Sequence, residues 1–180
     1  MGPSDRSTVV AAGHVVVTHR GVGPVAVTMA LSLTSPAFDD GGPIPEEYGY
    51  TARNVNPPLA IDGVPDDAAS LALIVDDPDA VEPTGKVWDH WVVWNVDPGT
   101  TEIPEDWDAS ASGAAEGKND FGGNGYGGPN PPDREHTYRF ELHALATTLD
   151  LSSGATAEDV RTAAEGSVLE TATLTGTYAP

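Results

Sequence analysis

The chain has 180 residues, 39% of them hydrophobic, so it is long enough for one folded domain, and no apolar run approaches the roughly 18 residues of a membrane span. Its 28 acidic and 8 basic residues give a formal net charge of −20, which disfavours nucleic acid and anionic membranes as partners. The absence of cysteine excludes disulfides, cysteine-ligated zinc and a cysteine nucleophile.

The acidic residues are spread along the chain rather than gathered in one tail. This distribution is typical of a solvated acidic surface that stays soluble at high salt, and we interpret the chain as a halophilic, cytoplasmic protein. An acidic face for a basic partner is the alternative. The sequence shows no convincing secretory signal, because histidine, arginine and proline interrupt the apolar stretch 9–29, and we expect no integral membrane association.

The first 28 residues differ in composition from the rest, with one acidic residue, Asp5, against two arginines and two histidines. We predict an N-terminal extension over residues 1–28 and one domain over residues 29–180. The extension is either an added strand pair, since Val15–Thr18 and Val25–Thr28 are β-prone, or a tail, or an over-extended start ahead of Met29.

Beyond the extension, short apolar segments alternate with turns rich in Gly, Pro, Asp and Asn. The apolar segments predict strands at Leu31–Leu33, Leu59–Ile61, Ser70–Asp76, Trp88–Val96, Thr137–Leu145 and Leu169–Tyr178. Thr156 and Asp159 form a capping-box pattern that predicts a helix through about Gly166. Many short strands and one convincing helix favour a mostly β protein, a sandwich or a barrel.

Two of the five histidines lie at the entrances of predicted strands, beside aromatic residues. Alternation along the strand predicts one face made of Trp88, His90, Val92 and Trp94. The same rule predicts a second face made of His136, Tyr138, Phe140 and Leu142. The simplest interpretation is that each histidine has a structural role. The functional interpretation is that the two histidines belong to one site.

Asp77 and Asp79 flank Pro78 at the end of a strand that is apolar on both faces. Such carboxylates commonly accept hydrogen bonds from nearby backbone N–H groups in a turn. The alternative is that one of them orients an imidazole and selects its tautomer.

The segment 117–136 is rich in glycine and then in proline. Its glycines allow backbone N–H groups to converge on an anion, whereas a flexible loop is the alternative. It is not a phosphate-binding Walker loop, because Lys118 precedes the glycines and no Gly-Lys-Ser/Thr occurs.

Four segments carry a resemblance to a known family through their residues and their order along the chain. They are Asp77–Ala80, Gly85–Asn95, Gly125–Pro132 and His136–Phe140. Together they resemble the phosphatidylethanolamine-binding protein family, also called the Raf kinase inhibitor protein-like family, in its bacterial and archaeal branch. The resemblance covers about residues 30–178.

The resemblance implies a β-sandwich of two antiparallel sheets, with one or two short helices and one pocket at the end of the sheets. That pocket binds phosphate-like anions and phospholipid head groups in the family. The positions that match the family's pocket are Asp77, Trp88, His90, Asn130, Pro132, His136 and Tyr138. Further candidates beside them are Asp79, Tyr126 and Gly128.

The chain departs from the family pattern at three positions. Val81 replaces a proline, Asn130 replaces a cysteine or glycine, and Thr137 replaces an arginine. Any shared role of that arginine would fall on Arg134 or Arg139. The longer C-terminal helix of eukaryotic members has no match, so we do not transfer their kinase-regulating role.

We therefore expect a non-enzymatic binding protein, compatible with a regulatory role, whose ligand is a phosphate-like anion or a phospholipid head group. His90 and His136 would donate N–H groups, Asp77 would hold one imidazole, and Tyr138 and loop amides would complete the site. We expect no cofactor and no bound metal. A protein-binding inhibitor of a protease or kinase is the first alternative, and a hydrolase that uses the His and Asp side chains is the weaker one, since no nucleophile motif occurs. A protein partner and a homodimer stay open.

Overall fold

The computed structural model describes the main chain of residues 8–11, 14–19 and 22–28 and the main and side chains of residues 29–180. In these ranges the strands are β1 (Thr8–Ala11), β2 (His14–His19), β3 (Val22–Thr28), β4 (Ser32–Thr34), β5 (Gly42–Pro43), β6 (Leu59–Asp62), β7 (Ser70–Asp77), β8 (Trp88–Val96), β9 (Glu102–Ile103), β10 (Ala115–Glu116), β11 (His136–Leu145) and β12 (Val168–Tyr178). The α-helices of the same ranges are α1 (Val81–Thr84) and α2 (Ala157–Ala164). None of the helices in the described residues combines the length and the apolar character of a membrane span.

Two facing sheets form the body of the molecule, which confirms the predicted mostly β sandwich. The larger sheet has the strand order β10-β8-β7-β11-β12-β5, and it is antiparallel apart from the short pairing of β12 with β5. The smaller sheet has the order β4-β6-β9. Buried side chains from both sheets, such as Leu59, Leu73, Trp91 and Phe140, pack into one core between them.

A second core lies on the other face of the larger sheet, under helix α2. Val160 of the helix packs there with Ile74 of β7 and Trp94 of β8. Every residue of β7 is buried, because this strand is central in the larger sheet and covered on both faces. Coverage on both faces is the physical reason that this strand is apolar without alternation.

The predicted capping box begins helix α2. Thr156 Oγ1 accepts a hydrogen bond from the Asp159 N–H at 3.2 Å, and the Asp159 carboxylate accepts one from the Thr156 N–H at 2.8 Å. The helix ends at Ala164, two residues before the predicted end, because Glu165 is already extended and Gly166 has a φ of +79°.

The longer strands lie within one or two residues of their predicted bounds. No sequence pattern indicated β5, β9 and β10, which have two residues each, or the four-residue α1. Elements of two to four residues are too short to show a periodic pattern of hydrophobic residues.

One predicted face is wrong, because strand β8 carries a bulge at His90. Val75 pairs with Trp91, whereas the next residue, Asp76, pairs with Asp89, so His90 is an extra residue on its strand. The ring of His90 lies against Tyr138, 5.1 Å between ring centroids. Val92 and Trp94, predicted to share its face, pack in the second core under α2 instead.

Strands β1, β2 and β3 form an antiparallel sheet of their own. The predicted strand pair, Val15–Thr18 and Val25–Thr28, lies within β2 and β3, and β1 adds a third strand. The division of the chain at residue 28 into an extension and a domain stays a prediction.

Candidate functional site

The larger sheet places three strand ends at one edge. Asp77 ends β7, while Trp88 begins β8 and His136 begins β11, and both of those strands run antiparallel to β7. The end of β7 therefore meets the beginnings of its two neighbours. A cavity of about 160 Å³ lies at this edge, lined by Asp77, Ala80, Thr84, Trp88, His90, Phe121, Asn130, Pro132, His136 and Tyr138.

The structure brings the seven main sequence-predicted site residues into this one lining. Three further lining residues were not predicted as part of the site: Ala80, Thr84 and Phe121. The two predicted imidazoles, 46 positions apart in the chain, share the cavity and flank Tyr138.

His136 is buried between two carboxylates. Its Nδ1–H donates to Asp77 Oδ2 at 2.6 Å and its Nε2–H donates to Asp133 Oδ1 at 2.9 Å. Burial by itself lowers the pKa of His136, but the hydrogen bonds and negative charges of Asp77 and Asp133 outweigh it and raise the pKa. Both ring nitrogens face carboxylate oxygens, an arrangement that fits an imidazolium that donates both of its protons.

Asp77 serves both of the roles considered for it. One oxygen accepts the His136 proton, and the other accepts a hydrogen bond from the Ala80 N–H at 3.2 Å. The second contact fixes the turn that follows β7, so the carboxylate that orients the imidazole is itself held in place.

One ring nitrogen of His90 is used in a hydrogen bond within the protein. Its Nδ1–H donates to the Gly127 carbonyl at 2.6 Å. Burial lowers the pKa of His90, and the hydrogen bond to Gly127 and the charge of Asp77 offset this only in part. At neutral pH the ring is neutral, so Nε2 carries a lone pair and not the proton that we expected it to offer.

Two buried donors in the lining have no hydrogen-bond partner, the indole Nε1–H of Trp88 and the hydroxyl of Tyr138. Burial, followed by the charge of Asp77, raises the pKa of Tyr138, so its hydroxyl stays protonated. The Asn130 main chain and the Asp77 carboxylate lie near this hydroxyl, but neither meets the geometry of a hydrogen bond to it. Each unpartnered donor carries a desolvation cost that an acceptor would remove.

Phe121 forms part of the cavity wall. Its ring meets the rings of Trp88 at 5.6 Å and His90 at 5.4 Å edge to face, and it stacks on Tyr50 at 4.0 Å. Asn119 Oδ1 accepts the N–H of Phe121 and so holds this part of the loop. Phe121 and Tyr126 are the two aromatic residues of the glycine-rich segment 117–136, and an aromatic residue in such a loop was the available signal for this position.

The sequence model of the family described as phosphatidylethanolamine-binding protein matches residues 34–179. The chain belongs to the phosphatidylethanolamine-binding protein (PEBP) family. It is 48% identical over 151 residues to a UPF0098 protein of Methanothermobacter thermautotrophicus, which covers 82% of this chain and 98% of that relative. A UPF0098 protein of Chlamydia muridarum is 41% identical, with coverage of 82% and 98%.

Solved structures of PEBP homologues have the same fold. The crystal structure of a PEBP homologue from Chlamydia trachomatis aligns with a TM-score of 0.76 at 40% identity, over 83% of this chain and 97% of the other. Escherichia coli YbcL, a member of the mammalian PEBP family by its published description, aligns with a TM-score of 0.76 at 32% identity, over 83% and 98%.

The three further candidates lie outside the cavity lining of this family member. The Asp79 carboxylate accepts the Thr137 N–H at 2.8 Å, the Tyr126 hydroxyl donates to the Tyr48 carbonyl at 3.1 Å, and the Gly128 N–H donates to Asn54 Oδ1 at 2.8 Å. All three groups are used inside the protein. A Cβ at Gly128 would lie 2.2 Å from the Tyr48 oxygen, so close packing accounts for this glycine.

The arginine absent at position 137 has no substitute in the lining. Arg139 binds the fully buried Asp76 through Nε and Nη2 at 2.9 and 2.8 Å, and Arg161 of α2 reaches the same carboxylate at 2.9 Å. Arg134 pairs with Glu82 at 3.0 Å on the rim. In the described part of the chain, no three His, Asp or Glu side chains are grouped as metal ligands.

Proposed function

We propose that this PEBP-family protein binds a phosphate group, free or as part of a larger head group, in the cavity at the edge of the larger sheet. The observation that carries the proposal is the pair of buried, unpartnered donors, Trp88 Nε1–H and Tyr138 O–H, beside the His136 imidazolium. An oxyanion offers several acceptor oxygens at once, so one ligand would satisfy both donors.

The size and charge of the cavity support a small anion. A volume of about 160 Å³ suits a phosphate group rather than a whole lipid. The net charge of −20 opposes the approach of an anion, so binding depends on these local donors and on screening by salt.

Binding without catalysis fits the state of His136 and Thr84, two of the lining residues that a reaction could use. Both His136 nitrogens are engaged with carboxylates. The Thr84 hydroxyl, which lies in the lining, donates to the Ala80 carbonyl at 2.6 Å. Neither group is arranged as a nucleophile with an adjacent base.

Phosphate titration of the Trp88→Phe variant tests the proposal. Because the change removes one donor to a charged ligand, we expect affinity measured by calorimetry to fall about tenfold. The matched control is Trp94→Phe, which removes another buried, unpartnered indole N–H, but from the second core under α2. Wild-type protein that takes up no phosphate at tens of millimolar, or a Trp88→Phe variant that binds like the control, would reject the proposal.

A further inference from the structure

Asp133 holds the side of His136 that a ligand anion needs. The His136 side chain has no exposed surface, and Asp77 already occupies its Nδ1–H. The remaining ring proton, on Nε2, is donated to Asp133. An anion that is to use the imidazolium charge through a hydrogen bond must take this position.

The two carboxylates on His136 differ in how firmly they are held. The side chain of Asp77 is 4% exposed and is bonded through both oxygens, whereas the side chain of Asp133 is 42% exposed and lies in the loop before β11. Burial raises the pKa of Asp133, but the hydrogen bonds from His136 and from the Arg134 main chain, together with the positive charges of both residues, outweigh it and lower the pKa, so Asp133 is ionised at neutral pH. Asp133 is thus the carboxylate that a ligand can displace.

We infer that Asp133 determines which anions the site accepts, because its carboxylate occupies the place of a ligand oxygen on His136 Nε2. The inference rests on the proposed anion site and adds a built-in competitor to it. The competitor is tethered three residues from His136, so its effective concentration is in the millimolar range or higher.

The tethered carboxylate of Asp133 sets a minimum affinity that an anion needs in order to bind at His136. A small carboxylate such as acetate offers His136 the same contact that Asp133 already makes, so it gains little by exchange. A phosphate brings more negative charge and more oxygens, which can also accept from Trp88 and Tyr138. Asp133 therefore selects phosphate-type dianions over simple carboxylates.

Asp133→Asn removes the competing charge and keeps the side-chain shape. We expect phosphate affinity to rise about tenfold, the effect of removing one unit charge a few ångströms from a dianion. Because of this minimum affinity, acetate should not bind the wild-type protein at about 10 millimolar. We expect it to bind the Asp133→Asn variant at the same concentration.

Glu135→Gln is the matched control, since it removes an equal charge from the same exposed loop without a contact to His136. Its effect on phosphate affinity should stay below about twofold, because an exposed charge without a contact to His136 is screened by solvent and salt. In the wild-type protein, saturating phosphate should also shift the ¹³C resonance of the Asp133 carboxyl group as it leaves His136.

The outcomes separate this inference from the proposed function. Phosphate binding that is equal in the wild-type protein, Asp133→Asn and Glu135→Gln would overturn the role of Asp133 and leave the anion site standing. An Asp133 carboxyl resonance that does not shift when phosphate is added would likewise overturn the role of Asp133 and leave the anion site standing. Absence of phosphate binding by all three proteins would reject both proposals, and tighter binding by Asp133→Asn than by the wild-type protein and Glu135→Gln would support both.

Discussion

His136 and His90 lie in one cavity, but opposite influences dominate their protonation. The two carboxylates on His136 raise its pKa, whereas burial lowers the pKa of His90. The contacts of the two rings thus fit one charged and one neutral imidazole in the same cavity. The charged ring can attract an anion where that anion displaces Asp133, and the neutral ring forms part of the wall and presents an acceptor nitrogen.

A pH titration followed by NMR distinguishes the two rings. We expect His136 to titrate above the ordinary value of about 6.5 and His90 below it. The raised pKa of His136 means that its ion pairs stabilise the fold fully below about pH 6.5, and that this contribution is lost as pH rises through the folded-state pKa.

The lowered pKa of His90 has the reverse consequence. Its neutral ring contributes stability that is complete above about pH 6.5 and is lost as pH falls toward the folded-state pKa. A His136→Gln variant should therefore lose the decline in unfolding free energy above pH 6.5 but keep the decline on the acid side. A His90 ring that titrates above 6.5 would contradict this account.

At the scale of elements, a buried carboxylate joins two strands and a helix. Asp76 of β7 is fully buried on the face away from the cavity, where Arg139 of β11 and Arg161 of α2 both bind it. The bulge in β8 lies beside this cluster and turns His90 to the cavity. One face of the larger sheet therefore joins the strands to helix α2, and the other face carries the candidate site.

Asp76→Asn tests that separation. We expect the unfolding free energy in urea to fall by about 3 kcal/mol, because the change breaks a buried ion pair while the arginines still reach water. Glu141→Gln, which removes a more distant carboxylate from Arg139 at 3.7 Å, should cost less than about 1 kcal/mol. Phosphate affinity should be the same in both variants, and a large change in it for Asp76→Asn would show that the faces are coupled.

The sequence was sufficient for features that depend on short stretches of chain. The strand β8 and the capping box at Thr156 were predicted because their signals are local, whereas the lining residues were assigned to one pocket through the family resemblance. The face of His90 was not predicted correctly, because a bulge is a property of the register between two strands. The role of Asp133 was missed as well, since it depends on how the loop before β11 folds back onto His136.

At the scale of the whole molecule, the net charge of −20 and the proposed ligand have the same sign. Long-range repulsion therefore works against binding, and it falls as salt shortens the screening length from about 10 Å at 0.1 M to about 3 Å at 1 M. The proposed site would function best in concentrated salt, in line with the halophilic character that the acidic composition predicts. Buried donors keep their strength there, because salt screens them little.

The most direct measurement is phosphate titration in molar potassium chloride, followed by the indole N–H resonances of the tryptophans. We expect the Trp88 Nε1–H resonance to move downfield as its missing acceptor arrives, while that of Trp94, equally unpartnered but under α2, stays in place. A Trp88 resonance that does not move at tens of millimolar phosphate, or that moves together with Trp94, would contradict the proposed anion site.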